Sequence, residues 1–175
     1  MLKQSQLILF LTVFLSLCAV WFISYEFFIK PEGTLDHYLT NWVSEGTNML
    51  LHLFGFNSYY LPAPKAGNTL MFIPPIEKPI VRIGASCNGQ ELFVLFTLFI
   101  CAYPGKWKVK IPFILIGLLI IHVANILRTF SLVMLAYNKS HYYNFFHRYI
   151  FIFLIYGLVF LMWKYWATKY GRINK

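Results

Sequence analysis

Three residues of the chain carry side chains that can perform acyl transfer, and each of them borders an apolar segment. Cys87 precedes one apolar run, Arg128 lies inside a second, and His147 stands at the start of a third. A thiolate can attack a carbonyl carbon, an imidazole can move protons, and a guanidinium can stabilise an oxyanion. Together they indicate catalysis through a thioester, if the fold brings them to one face of a membrane.

The residues around Cys87 decide between a nucleophile and a packing residue. An unpaired cysteine is more often a small buried apolar residue, but Asn88 and Gly89 allow the backbone to approach a ligand closely. The start of a helix also stabilises a thiolate. Cys101 lies 14 residues further along, about 21 Å away in a helix. Cys18 belongs to another apolar run, so we expect Cys87 to be a free thiol.

Arg128 lies deeper in its apolar run than an arginine that reaches the lipid headgroups usually does. Asn125 shares its helix face at i, i+3, which favours a polar pocket over snorkelling. His147 alone would be an ordinary interfacial histidine, and His141 competes with it for a role in proton transfer. No histidine or cysteine pair has the spacing of metal ligands, so neither a metal nor a cofactor is expected.

The composition predicts an integral membrane protein. Of the 175 residues, 59% are hydrophobic and 12% are charged, whereas about 25% are charged in soluble domains. We expect an all-α fold, a single membrane domain over residues 1–175 with about four transmembrane helices. These are predicted at about 7–29, 88–103, 112–136 and 147–166, with Pro112 in the first turn of the third. The first run exceeds the roughly 7 to 15 residues of a signal-peptide core, which indicates a retained anchor.

Positive charge is distributed by side of the membrane. Basic residues without acidic ones occur before the first run, between the second and third, and after the fourth. The positive-inside rule therefore predicts cytoplasmic N- and C-termini (N-in, C-in) and an outer segment at residues 30–87. We expect a multi-pass protein of the cytoplasmic (inner) membrane whose active site faces the periplasm. The net charge of +9 is then a topology signal, and no nucleic-acid partner is expected.

The outer segment contains two predicted structural elements. Apolar residues recur at helical spacing from Leu35 to Phe54, which indicates an amphipathic interfacial helix. Residues 57–68 are rich in proline, glycine and asparagine and predict a loop. Two short runs, Thr69–Ile73 and Pro79–Ile83, then predict a short β-hairpin that delivers the chain to Cys87.

The order of these residues resembles the exosortase/archaeosortase family. That family has a cysteine followed after one residue by a glycine, an asparagine-x-x-arginine helix, and a histidine that opens the last core helix. Here the matching residues are Cys87-Asn88-Gly89, Asn125 to Arg128, and His147, within roughly residues 69–163. With about four spans where many members have about eight, the chain resembles the short exosortase F type of Bacteroidetes.

The resemblance implies a membrane-embedded, sortase-like cysteine peptidase or transpeptidase, a hydrolase or transferase that works through an acyl-enzyme thioester. It implies Cys87 as the nucleophile, Arg128 as the oxyanion-stabilising or substrate-positioning group, and His147 as the general acid and base. Supporting or substrate-binding positions would be Asn125, Asn88 and Gly89. The implied partners are exported proteins whose C-terminal sorting signal has a short motif, a transmembrane helix and a basic tail.

Two questions stay open at this point. The chain's small size leaves open whether a partner membrane protein helps to hold the substrate, and hydrolysis and transpeptidation both begin with the same acyl-enzyme. The main alternative function is a non-catalytic membrane scaffold or assembly subunit of an export system, in which Arg128 anchors helices and Cys87 only packs. A transporter has little support because the chain shows no repeated half.

Overall fold

The computed structural model describes residues 4–63 and 68–170, and 75% of that part of the chain is helical. Part of the predicted outer loop (residues 64–67) and both ends, whose charges support the predicted topology, lie outside the described residues. The prediction of an all-α membrane protein with about four spans is confirmed in part, because this part of the chain is mostly helical but also contains a small sheet. The helices of the described part that exceed three turns are α1 (Gln4–Glu32), α2 (Thr34–Leu53), α3 (Gln90–Ala102), α4 (Trp107–Tyr137) and α5 (Tyr143–Lys169).

Three of these helices, α1, α4 and α5, are long and apolar enough to cross a membrane. The fourth predicted span, at 88–103, forms α3, which has only 13 residues. It is about 20 Å long, less than the roughly 30 Å of a hydrocarbon core. The helix α4 begins at Trp107, so it includes most of the predicted inner loop. Pro112 therefore lies inside the helix and not in its first turn, where it was predicted.

The predicted β-hairpin is present and belongs to a three-stranded antiparallel sheet. Strand β2 (Thr69–Phe72) pairs with β3 (Val81–Ile83), and Met71 lies opposite Val81. The prediction that residues 57–68 are entirely loop is wrong, because β1 (Tyr59–Pro62) pairs with the other side of β2. Pro62 is compatible with that pairing since it lies at the end of an edge strand.

Two apolar clusters stabilise the fold, one above the other along α4. The sheet-side cluster joins α2, the sheet and the C-terminal half of α4, and the bundle cluster joins α3, α4 and α5. Cys87 packs against the first cluster, while Leu92, five residues later, belongs to the second. The turn that carries the cysteine therefore lies at the boundary between two cores.

Helix α2 packs its polar side inwards. Asp36, Thr40, Ser44 and Thr47 are buried, whereas large apolar side chains on the opposite face are exposed, with Leu53 82% accessible. The amphipathic helix predicted here is therefore present, with its polar stripe against α4 and the sheet. Its position at a membrane interface stays a prediction.

A glycine of α4 tests the packing of the bundle cluster. A Cβ at Gly117 would overlap the ring of Phe96, which is completely buried and has no room to move aside. We expect Gly117→Ala to lower the free energy of unfolding by about 1–3 kcal/mol through overpacking. Gly157→Ala on α5 is the control, because nothing lies within 4 Å of a Cβ there. Unfolding of the detergent-solubilised variants measures both, and equal losses would contradict the described packing.

Candidate active site

Cys87 lies in a tight turn between the sheet and α3. Strand β3 leads into a 3-10 turn at Ala85–Cys87, and α3 follows, so the cysteine precedes the helix instead of opening it. Gly89 has a φ of +82°, in the left-handed region that glycine adopts without steric cost. A Cβ at Gly89 would also lie 3.3 Å from the Asn125 amide nitrogen. Glycine therefore permits both the reversal of the chain and the close approach of α4.

Asn125 holds the backbone of the cysteine. It is completely buried on α4, and its Nδ2 donates a hydrogen bond of 2.8 Å to the carbonyl oxygen of Cys87. The predicted supporting residue thus contacts the main chain of the predicted nucleophile. Its Oδ1 is buried and, among the residues that the structure describes, has no hydrogen-bond partner.

Arg128 lies one turn further along α4 and reaches the thiol. Its Nη2 is 3.9 Å from Cys87 Sγ, a long donor contact to sulfur, and its side chain is half-buried. The Nε atom is buried and has no hydrogen-bond partner within the described ranges. The shared helix face predicted for Asn125 and Arg128 is therefore present, and it points at the cysteine.

His147 lies near this pair but not against the thiol. It belongs to a π-helical turn, Phe146–Ile150, one turn inside α5, and π turns occur frequently at functional sites. Its ring stacks on Tyr143 at a centroid distance of 5.9 Å, and it interacts electrostatically with Arg128. Both His147 and Cys87 are described, and no hydrogen bond joins them. His141, the competing histidine, is exposed in the loop between α4 and α5.

Tyr143 bridges the gap between the histidine and the cysteine. Its ring lies parallel to that of His147, with 3° between the planes, and it packs against the sheet-side cluster together with Cys87. It also interacts electrostatically with both Cys87 and Arg128. Tyr143 was not predicted as a site residue, although its spacing of four from His147 places both on one helix face.

A buried carboxylate, also missed from the sequence, supports the turn from the other side. Asn88 is completely buried; its Oδ1 accepts from the Gln90 backbone N–H at 2.9 Å, and its Nδ2 donates to Asp36 Oδ1 at 3.0 Å. The second oxygen of Asp36 accepts from the Tyr25 hydroxyl at 2.8 Å. This chain of bonds ties α1 and α2 to the residue after Cys87. Thr40 and Ser44 lie on the same face of α2 as Asp36, and this polar stripe is the signal from which the carboxylate could have been predicted.

A cavity of about 320 Å³ opens beside the turn. Ser86 and Gly89, on either side of the cysteine, line it together with Arg128, and Ile152 and Tyr156 of α5 form the opposite wall. Cys87 itself does not line the cavity, so a polypeptide segment in it would lie against Arg128, whose Nη2 contacts the thiol. Within residues 4–63 and 68–170, no three histidine, cysteine or acidic side chains stand together as metal ligands would.

The fold and the site define a multi-pass membrane protein with a thiol and an arginine in contact beside a cavity. A family model described as Transmembrane exosortase (Exosortase_EpsH) matches residues 3–164, which is most of the chain. The chain therefore belongs to the exosortase family, a transmembrane family of cysteine-protease-like transpeptidases. No curated protein and no solved structure matches it.

The bond chain through Asp36 gives a testable order of variants. Asp36→Ala leaves the buried Asn88 amide and the hydroxyl of the half-buried Tyr25 without their partner, at a cost of about 1–3 kcal/mol for the buried amide. Asp36→Asn retains most of the stability, because its oxygen can accept from Asn88 and its amide can donate to Tyr25. Detergent unfolding measures the order, with exposed Glu32→Ala as the control. If Asp36→Ala behaved like the control, the support assigned to Asp36 would be wrong.

Proposed function

We propose that the chain is a membrane-embedded thiol peptidase or transpeptidase of exosortase type, with Cys87 as its nucleophile. The observation that carries the proposal is the 3.9 Å approach of Arg128 Nη2 to Cys87 Sγ beside the 320 Å³ cavity. Membership of the exosortase family supports the same function. Its substrates would be exported proteins with a C-terminal sorting signal.

The proposed reaction begins with the thiolate of Cys87. The sulfur attacks the carbonyl carbon of the scissile peptide, the C–N bond breaks, and the amine takes a proton and leaves with the sorting signal. The acyl group stays on sulfur as a thioester. Water or an acceptor nucleophile then attacks the same carbon, which releases the processed protein and restores the thiol.

Arg128 would act on the charges of this reaction. A guanidinium carries a positive charge, so it would attract the sulfur anion that attacks and the oxyanion that forms. Its Nε supports the second role, since this buried donor has no partner among the described residues and is available to a substrate oxygen. Both contacts gain strength in a site from which water is excluded.

His147 is the proposed general acid and base. Since its ring lies on Tyr143 and not on the thiol, a rotation of the imidazole or an intervening water has to connect it to Cys87. Catalytic hydrogen bonds are often long before substrate binds and shorten in the complex. Tyr143 would hold the imidazole ring of His147 in position between Arg128 and Cys87.

We also propose the topology and the subtype. The lysines between α3 and α4 support cytoplasmic termini, with α3 crossing part of the inner membrane as the fourth span and the site facing the periplasm. The subtype that we propose is the short exosortase F type, with substrate binding either by this chain alone or together with a partner membrane protein. In the scaffold alternative, Cys87 would only pack against the sheet-side cluster, which it does contact.

Replacement of the cysteine separates the two functions. In cells that produce Cys87→Ala, exported proteins ending in an apolar helix and a basic tail should accumulate uncleaved, because no thioester can form. Cys101→Ala, a half-buried thiol at the far end of α3, should process them normally. Mass spectrometry of their C-terminal peptides measures the result. Normal processing by Cys87→Ala would leave the scaffold function.

The same peptides distinguish the two reactions of the thioester. A free carboxylate at the new C-terminus means hydrolysis, and a conjugate at that position means transpeptidation.

The two outer histidines form a matched pair. We expect His147→Ala to slow processing by about 10²–10⁴-fold, the usual contribution of a general acid or base. His141→Ala should change little, because His141 is exposed on the loop and its ring meets that of its neighbour Tyr142 edge to face. Rates of substrate cleavage in membranes containing equal amounts of each variant measure the difference. The opposite order would move the proton-transfer role to His141.

A further inference from the structure

Helix α5 carries an open apolar groove on the surface that would face lipid. The groove is a notch in the surface of this one helix, runs from Arg148 to Phe160 and has a volume of about 820 Å³. Phe153 is 80% exposed, and Gly157 adds no side chain, with nothing within 4 Å of the position of a Cβ. A glycine on such a surface lets the backbone of a second helix approach closely.

The groove continues into the cavity beside the cysteine. Ile152 and Tyr156 line both the groove and the 320 Å³ cavity, whose other wall includes Arg128. A chain lying in the groove therefore has a direct path to the guanidinium of Arg128, which contacts the thiol. Because the groove and the cavity are continuous, a molecule bound in the groove can extend to the site of the proposed reaction.

The lipid around the groove determines which secondary structure a polypeptide bound there can adopt. A polypeptide inside a bilayer must satisfy its own backbone hydrogen bonds, so a single segment there is a helix. Since α5 runs away from the site towards Lys169, a substrate helix that starts at Cys87 runs parallel to α5. The segment before this helix would then lie in the cavity, and its end would carry basic residues on the same side as those of the enzyme.

We infer that the α5 groove receives the apolar C-terminal helix of the substrate and that Gly157 sets how closely this helix can approach. The inference rests on the proposed function and adds the surface that selects the substrate. A second groove of about 360 Å³, between α1 and α3, also borders the site through Gln90 and Glu91. It is the competing location for the same helix.

Site-specific photo-crosslinking distinguishes the two grooves. A benzoylphenylalanine is placed at Phe153 in the α5 groove, at Phe22 in the second groove, or at Val123 on the exposed side of α4, each in the Cys87→Ala protein in intact membranes. We expect Phe153 alone to yield peptides from C-terminal apolar helices of exported proteins that accumulate uncleaved in the same cells. Crosslinks from Phe22 instead, equal crosslinks from Val123, or only lipid adducts at Phe153 would overturn the inference.

A substitution that fills the groove tests its function in the protein with an intact Cys87. Gly157→Leu should reduce substrate processing at least 10-fold while the protein accumulates normally in the membrane, since the added side chain meets open space in the enzyme itself. Val123→Phe adds the same number of carbon atoms to an exposed position of α4 and should leave processing unchanged. Normal processing by Gly157→Leu would refute the groove.

The two proposals fail in different ways. If Cys87→Ala accumulates uncleaved substrates but Gly157→Leu processes them normally, the α5 groove is wrong and the thiol mechanism stands. If Cys87→Ala processes them normally, both proposals are wrong.

Discussion

The position of the site depends on the hydrogen bond from Asn125 Nδ2 to the carbonyl oxygen of Cys87. Helix α3 has 13 residues and α4 has 31, so the two helices of this hairpin cannot end at the same level. Asn125 lies 12 residues before Tyr137, the last residue of α4, and the cysteine is therefore held about 18 Å below that end. Helix α2 and the three strands fill the space that the short helix leaves.

A layer of buried polar groups lies between the two apolar clusters. Asp36, Asn88, Asn125 and the Tyr25 hydroxyl connect α1, α2, α3 and α4 at the level of the turn. Each buried group that lost its partner would cost about 1–3 kcal/mol, so the layer specifies how these helices align along their axes. Asn125 Oδ1 and, one turn further along α4, Arg128 Nε are buried and have no hydrogen-bond partner in the part of the chain that the structure describes, and both side chains contact Cys87 through their other nitrogen atoms.

Much of this arrangement could be predicted, because strong local signals determine it. Long apolar runs indicate α1, α4 and α5, and the i, i+3 spacing of Asn125 and Arg128 places both on the face that meets Cys87. Strand β1 was missed although it pairs with the neighbouring strand β2, because the proline and glycine residues in and after it give the segment the composition of a loop. Asp36 was missed because its partners, Tyr25 and Asn88, come from distant parts of the chain. The stacking of His147 on Tyr143 fits their i, i+4 spacing on α5. The distance that separates the imidazole from the thiol depends on how α5 packs against the turn of Cys87, and that packing has no signature in the sequence.

Because α2 turns its polar face inwards, the structure around Cys87 depends on the medium that covers the opposite face of this helix. The opposite face exposes Trp42 at 60% and Leu53 at 82%, so water is an unfavourable solvent for it and a lipid interface is a favourable one. The free energy that keeps α2 in place, and with it the bond from Asn88 to Asp36, therefore includes a contribution from outside the protein. A change in lipid thickness or in the detergent headgroup would then alter the geometry around Cys87, as a mutation in the chain does.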